Sequence, residues 1–274
     1  MSDADSEEVF ARLRFGKRLR ELRGQKGFSQ QELADAAHVS QSAVSDLELG
    51  KKGTKRVPVV RLDEALTAQG ELVDAWDAVF SRIGMTEYFR QVAGAEQRAV
   101  RIRDYSHGGL VHGLLQTEGY VRAINEVARP ETPRGSVDQI VVGRQHRQRI
   151  LEQAHPPAMM MLLDEVVLLR RFHDPQVMKD QIARLIELSR RPRIKIQLVP
   201  IATEGHPGLG GSFTIIEELE SPAFVYVESQ QTGWTLKQPE AVASYDRTFA
   251  DLGSAALPVS ASRDRMEEIR GSIT

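Results

Sequence analysis

Residues 29–51, SQQELADAAHVSQSAVSDLELGK, constrain the fold more than any other stretch, because they dictate two short helices with a tight turn between them. Ser29 with Glu32 three positions on is a capping box, which starts a helix through Gln30, Leu33, Ala34 and Ala37. Leu33, Ala34 and Ala37 share one apolar face, and the small Ala34 lets a second helix cross closely. Val39 closes the turn against the core. Ser40 caps the second helix, in which Ala43, Val44 and Leu47 form the apolar face and Gln41, Ser42, Ser45 and Asp46 the polar one.

The polar face has a chemistry of its own. Glutamine pairs bidentately with adenine, serine bonds several base edges, and the N-terminal part of a recognition helix is what reaches the floor of the major groove. Gln41 and Ser42 are therefore the leading base readers, with Ser45 and Asp46 as further base contacts and Gln30 and Ser40 placed on phosphates. An amphipathic hairpin that only turns polar residues to water would show the same spacing, so the flanks decide between the two. The segment resembles the XRE (lambda-repressor-like) helix-turn-helix family through QQELA at 30–34 and DLELG at 46–50. Members of that family often carry Arg or a longer polar residue where this chain has Asp46.

Charge supports a DNA reader. Residues 9–62 hold 12 lysines and arginines against 5 acids, a balance of +7, while residues 1–8 carry −4 and residues 63–274 carry −5. The formal net charge of −2 thus hides a basic N-terminal region. Within it, LGKKGTKRVP at 49–58 gathers Lys51, Lys52, Lys55 and Arg56, read either as a phosphate grip or as a solvated loop. Six basic residues between Arg12 and Arg23 admit the same two readings.

At 274 residues, 41% hydrophobic and 27% charged, the chain has room for two globular domains. It contains no cysteine, which excludes disulfides, thiolate catalysis and zinc-thiolate sites. The acidic start, MSDADSEEVF, and the lack of any run of membrane-spanning length predict a cytoplasmic protein without signal peptide or transmembrane helix.

The expected organisation is a disordered acidic tail at 1–8 and an all-α helix-turn-helix domain of five helices at 9–82. A linker or connecting helix at 83–98 then leads to an α+β domain with a mixed or antiparallel sheet at 99–274. In the first domain, helices are expected at 9–26, 59–67 and 71–80 besides the central pair. In the second, strands are expected at 99–105, 159–165, 193–199, 212–219 and 223–229, the last two pairing antiparallel. Helices are expected at 117–128, 137–153, 165–172, 176–190, 238–257 and 262–270. The helix at 137–153 is read with Ile140, Val141, Ile150 and Leu151 inside and Arg144, His146, Arg147 and Arg149 outside.

HGLLQTEGYVRAI, VVGRQHRQRIL, LLDEVVLLRRF, GSFTIIE, VYVES and the helix PEAVASYDRTFADLGSAAL are together similar to the C-terminal domain of actinobacterial XRE-type regulators. These are the WhiJ-like developmental regulators, also described as antitoxin-like. The resemblance implies a DNA-binding repressor or regulator, often encoded near a small partner protein, whose larger domain senses, dimerises or binds a partner.

No catalytic residue, cofactor or metal is expected. Asp164 and Glu165 adjoin at a strand-to-helix junction, where acids serve as caps. His107 and His112, with His146 or His155, match no ligand spacing. GHPGLGG at 205–211 lacks the helix and lysine of a phosphate loop and reads as a flexible connection. Tyr226, Glu228 and Trp234 could line a ligand or partner pocket, or else serve as core or dimer contacts. The leading function is a dimeric, sequence-specific transcriptional regulator on an inverted repeat of double-stranded DNA, responding to a small-molecule effector or partner protein. The alternative is an antitoxin-like protein that sequesters a small partner and autoregulates its operon. An enzyme is the least favoured class.

Overall fold

The computed structural model describes residues 3–52, 54, 56–80, 87–128, 130, 134–229 and 232–274, without the side chains of 3–11, 56, 77–80, 87–91 and 134–136. The chain divides into two compact units, Met1–Gly84 and Met85–Thr274.

The first unit is helical: α1 (Asp3–Lys26), α2 (Gln30–Ala36), α3 (Gln41–Glu48), α4 (Arg56–Leu66) and α5 (Glu71–Phe80). Helix α1 takes in residues 3–8, in place of the expected disordered tail. Four of these helices end alike: the amide after a positive-φ residue reaches back five positions and that residue's own amide three. Gly27, His38, Gly50 and Thr67 occupy that left-handed position after α1, α2, α3 and α4. Asp63 of α4 then accepts from the amides of Gly70 (2.7 Å), Leu72 (2.8 Å) and Val73 (3.3 Å), so one buried carboxylate starts α5. Arg18 on α1 pairs with Glu71 on α5. Phe15, Leu19, Leu33, Val44, Leu62, Leu72 and Trp76 are buried, whereas Leu13 is exposed.

The second unit opens with α6 (Glu87–Arg98) and builds one six-stranded sheet in the order β3-β2-β1-β4-β5-β6. Strands β1 (Ala99–Ser106), β2 (Ala158–Asp164) and β3 (Ile194–Val199) run parallel. Strands β4 (Phe213–Glu218), β5 (Phe224–Glu228) and β6 (Gly233–Leu236) pair antiparallel. The sheet is mixed. Parallel neighbours need crossovers; α7 (Glu118–Ala128) and α8 (Arg134–Gln148) supply the first and α9 (Pro175–Leu188) the second.

One sheet face carries Ile102, Met159, Met161, Ile196, Ile216 and Phe224, packed with residues of α7, α9 and α11 (Val259–Gly271). The other carries Tyr105, Leu162, Phe213, Ile215 and Val225 against Phe249 and Leu252 of α10 (Pro239–Ala255). Each fully buried aliphatic side chain contributes about 1.5–3 kcal/mol.

Two expectations are corrected by the structure, and one strand is added to those expected. The helix placed at 165–172 is a single 3-10 turn, Glu165–Leu169, because Arg170 and Arg171 cannot follow buried Val167 and Leu168 into the core. Arg170 leaves the turn extended and bonds the carbonyls of Gly108 and Gly109. The GHPGLGG segment is not a loose connection: it forms the 3-10 turn Pro207–Gly210, where a Cβ on Gly208 would overlap the Tyr105 ring. Strand β6 was not foreseen, since only four residues carry it.

Candidate nucleic-acid interface

The two central helices start as their caps require. The Ser29 amide donates to Glu32 Oε2 at 2.7 Å and the Glu32 amide to Ser29 Oγ at 3.2 Å, a complete capping box. The Ser29 amide, and next its hydroxyl, hold the Glu32 carboxyl below the usual carboxylate range. Ser40 Oγ accepts from the Ala43 amide at 3.1 Å and starts α3. Between them His38 takes φ +53°, and the Val39 amide returns to the Ala34 carbonyl at 2.9 Å, which makes the turn. Leu33, Ala34, Ala37, Val44 and Leu47 are buried, leaving Gln41 and Ser42 exposed and Ser45 and Asp46 half-buried.

A glycine sets how closely α1 meets α3. A Cβ on Gly16 would overlap the Leu47 carbonyl oxygen and lie 2.6 Å from that of Glu48, so backbone lies directly against backbone. That contact brings Arg23 to Glu48, whose side chain is only 3% exposed: Arg23 Nε donates to Oε1 at 2.5 Å and NH2 to Oε2 at 3.1 Å. Arg23 NH1 donates to the Phe28 carbonyl at 2.6 Å.

The pair anchors a chain of side-chain hydrogen bonds that ends on the polar face. Gln30 Nε2 donates to Glu48 Oε2 at 2.8 Å, and Gln41 Nε2 donates to Gln30 Oε1 at 2.8 Å. A carboxylate only accepts, so Glu48 forces Gln30 to turn its amide nitrogen inward and its oxygen toward Gln41. Gln41 is left with Oε1 and one N–H, which are the acceptor and donor that adenine N6 and N7 require.

The remaining expected contacts are disposed as follows. Ser42 Oγ lies 3.0 Å from Ser40 Oγ. Asp46 Oδ2 pairs with Lys52 Nζ at 3.0 Å, so a residue expected on bases and one expected on phosphate neutralise each other. Lys51 is exposed beside them. Lys55 and the Arg56 side chain lie outside the described residues. Of the basic residues on α1, Arg18 and Arg23 bind Glu71 and Glu48 within the unit, and Lys17 lies 4.0 Å from Glu21.

In the larger unit the proposed trio does not converge. Tyr226 is opposite Thr235 and Val227 opposite Trp234, so strand alternation puts Tyr226 and Glu228 on one sheet face and Trp234 on the other. Trp234 is 54% exposed. Tyr226 is buried, and its hydroxyl helps to hold the Glu228 carboxyl down.

Arg144, Arg147 and His112 gather near Glu228. Arg147 is buried and Arg144 half-buried, correcting their assignment to the outer face of α8. Burial of Arg147 is compensated by Glu96 of α6: Nε and NH2 take its two carboxylate oxygens at 2.6–3.0 Å. The GLLQT segment is tied down beside them. Gln148 Nε2 donates to the carbonyls of Gly113 (3.0 Å) and Gln116 (2.7 Å), Gln181 bonds Leu115 and Thr117, and Thr117 Oγ1 caps α7.

The histidines separate. His107 Nδ1 lies 3.3 Å from Asp164 Oδ2, with His206 Nε2 3.9 Å from the same oxygen, whereas His112 Nε2 lies 3.5 Å from Glu96. Asp164 Oδ1 also accepts from the Val166 amide at 3.1 Å, the capping role expected of it, while buried Glu165 binds Arg265 and the Ile201 amide. Among the described residues no group of three or more histidines and acids is arranged to hold a metal ion, and no helix is long and apolar enough to cross a membrane.

Comparison with known families agrees with this division. A helix-turn-helix domain matches residues 14–76, and a domain of unknown function, DUF5753, matches residues 89–268. No curated protein and no solved structure matches the chain. The helix-turn-helix domain, with α2 and α3 at its centre, marks a DNA-binding regulator.

Proposed function

Since the chain belongs to the DUF5753 family and carries a helix-turn-helix domain ahead of it, we propose that it is a dimeric, sequence-specific transcriptional repressor whose larger domain senses a ligand or partner. The observation that carries this reading is the bond chain from Arg23 through Glu48 and Gln30 to Gln41, which orients an exposed amide at the start of α3. A side chain held this way has lost its rotamer freedom before DNA arrives, so less of the contact energy is spent on ordering it. Gln41 and Ser42 read bases, with Ser45 and Asp46 as secondary contacts. Gln30, Ser40, Lys51 and Lys52 bind phosphates, and Lys52 exchanges Asp46 for a phosphate on binding. A single reader of this size has modest selectivity, and a second copy on an inverted repeat one helical turn away supplies the remainder.

The resemblance of the larger domain to WhiJ-like regulators supports a switch that acts by binding rather than by catalysis, in the cytoplasm beside the chromosome. The test is selection of DNA from a random pool by the full-length protein, followed by titration at several salt concentrations. The expected outcome is an inverted repeat bound in a salt-dependent manner. Substituting Gln41 and Ser42 together by Ala costs about 1–3 kcal/mol of discrimination at the contacted base pairs. Selection of no common sequence, or a preference unchanged in that double variant, overturns the reading.

A further inference from the structure

Two arginines three residues apart on α8 turn into the larger domain, and they are not equivalent. Arg147 is paired through Nε and NH2 with both carboxylate oxygens of Glu96. His112 supports that pair: its Nδ1 accepts from the Leu114 amide at 3.3 Å, so Nε2 carries the proton that faces Glu96. Arg144 has no such pair. Among the described residues no carboxylate or carbonyl hydrogen-bonds or ion-pairs its guanidinium, which lies against the backbone of Gly113, where a Cβ would overlap it. The same Cβ would stand 3.3 Å from Arg147 NH1, so both guanidinium groups rest on one glycine.

The surroundings make this arrangement costly. Burial, and then the like charge of Arg147, push Arg144 down to about 10, with Glu96 and Glu228 pulling the other way. Glu228, at the end of β5, is pushed up by burial although more than a third of its residue surface remains exposed. The Tyr226 hydroxyl, Arg144, Arg147 and His112 oppose that rise. Among the described residues the charged groups that act on Arg144 are Arg147 on α8, Glu96 on α6 and Glu228 on β5, with His112 before the GLL turn and Tyr226 on β5 acting on Glu228. A partly desolvated cation without an acceptor is unfavourable, and an incoming acceptor removes the penalty.

We propose that Arg144 receives the carboxylate of a singly charged organic acid, in a site formed by α8, Gly113 and the Tyr226–Glu228 end of β5. This deepens the sensing role given above to the larger domain and rests on it. The guanidinium fork offers coplanar donors that match two carboxylate oxygens. Charge selects the class: Arg144 and Arg147 are balanced by Glu96 and Glu228, so one added negative charge is accommodated when Glu228 takes up a proton. A phosphate dianion would bring a second charge against Glu96. Arg147, paired to Glu96, and the bonded GLLQT segment are the frame that holds Arg144 in position.

The experiment uses the full-length protein with benzoate as probe, and chloride and phosphate at matched ionic strength. Phenylglyoxal attacks guanidinium groups in their neutral form, and mass spectrometry maps the modified arginines. Arg144 is expected to react ahead of Arg147, and benzoate at twice its dissociation constant is expected to slow that reaction about threefold. Two variants separate a site from a structural role. Gly113→Ala moves the guanidinium without changing charge and should weaken benzoate binding measured by calorimetry. Glu228→Gln removes the facing negative charge and should tighten it.

Protection by phosphate but not benzoate, or no protection by any anion, overturns the site, as does benzoate affinity unchanged in both variants. Failure of the sensing role reads differently: benzoate protects Arg144 while the affinity for the selected DNA stays the same. An intact, salt-dependent DNA affinity without protection removes the site and leaves the regulator standing.

Discussion

Replacing Glu48 by Ala tests whether the reader is held together by the same contact that orients its amide. The carboxylate accepts from Arg23 at 2.5 and 3.1 Å and from Gln30 at 2.8 Å. Its side chain is 3% exposed and that of Arg23 16%. Breaking a buried pair from one side costs about 3–5 kcal/mol. Arg23 retains some contact with water and its bond to the Phe28 carbonyl, which places this case near the lower end, at about 3 kcal/mol. For a unit of this size each kcal/mol lowers the unfolding midpoint by about 4–8 °C, so a fall of about 12–24 °C is expected. Trp76, buried in the same unit, reports the transition once the other tryptophan, exposed Trp234, is changed to Phe. Gln30 also loses its anchor, and freeing one ordered side chain costs about 0.5–1.5 kcal/mol, or about two- to twelvefold in DNA affinity at low temperature where the variant is folded. A midpoint within about 3 °C of the parent, a change below about 1 kcal/mol, would refute the reasoning, because a buried pair cannot be broken so cheaply.

Gly16→Ala pushes a methyl group into the backbone carbonyls of α3, which cannot swing aside, and a loss of about 3 kcal/mol in urea denaturation is expected. Glu32→Gln should cost stability at neutral pH only. The native carboxyl sits below its unfolded value of about 4.3. Its contribution is therefore complete above that value and disappears as pH falls through the folded pKa, so melts of the parent and variant should converge in acid. Lys51→Ala and Lys52→Ala should each reduce the slope of log affinity against log salt by about 0.9, if each holds one phosphate. Lys52→Ala alone should also alter base preference at the position Asp46 faces, since it frees that carboxylate from its 3.0 Å partner.

The elements whose causes are local were legible in the sequence. Ser29, Glu32 and Ser40 cap the helices they were expected to cap, and Asp164 behaves likewise. Each of these bonds spans two or three residues, so the spacing alone contains the geometry. The sheet was legible in part. Alternation found five strands and the antiparallel β4–β5 pair, but the parallel set β1, β2 and β3 depends on crossovers that join residues dozens of positions apart. Strand β6 has four residues, two of them Gly and Thr, and exists because β5 offers an edge to pair with. The boundary of α1 was misplaced because acidic residues near a helix N-terminus were read as a tail, although that is the end of a helix where acids are favoured.

The two sites differ in how they could have been found. The Gln30–Gln41 bond joins the first residues of α2 and α3, and a capped pair of short helices brings those starts together, so the motif carries its own geometry. Arg144 and Arg147 were assigned to solvent because they are charged, yet position argued otherwise. At about 100° per residue, Arg144 falls between Val141 and Leu151 on the helix face already taken as buried. A charge at an apolar position has two resolutions. Arg147 meets a carboxylate supplied by another helix, and the pair becomes part of the scaffold. Arg144 meets glycine backbone and another cation, and what it lacks, a planar acceptor with one negative charge, is what a ligand can bring. The distinction rests on Glu96, 51 positions before Arg147, which is why the helix pattern alone could show that the arginines turn inward but not which of them meets a carboxylate.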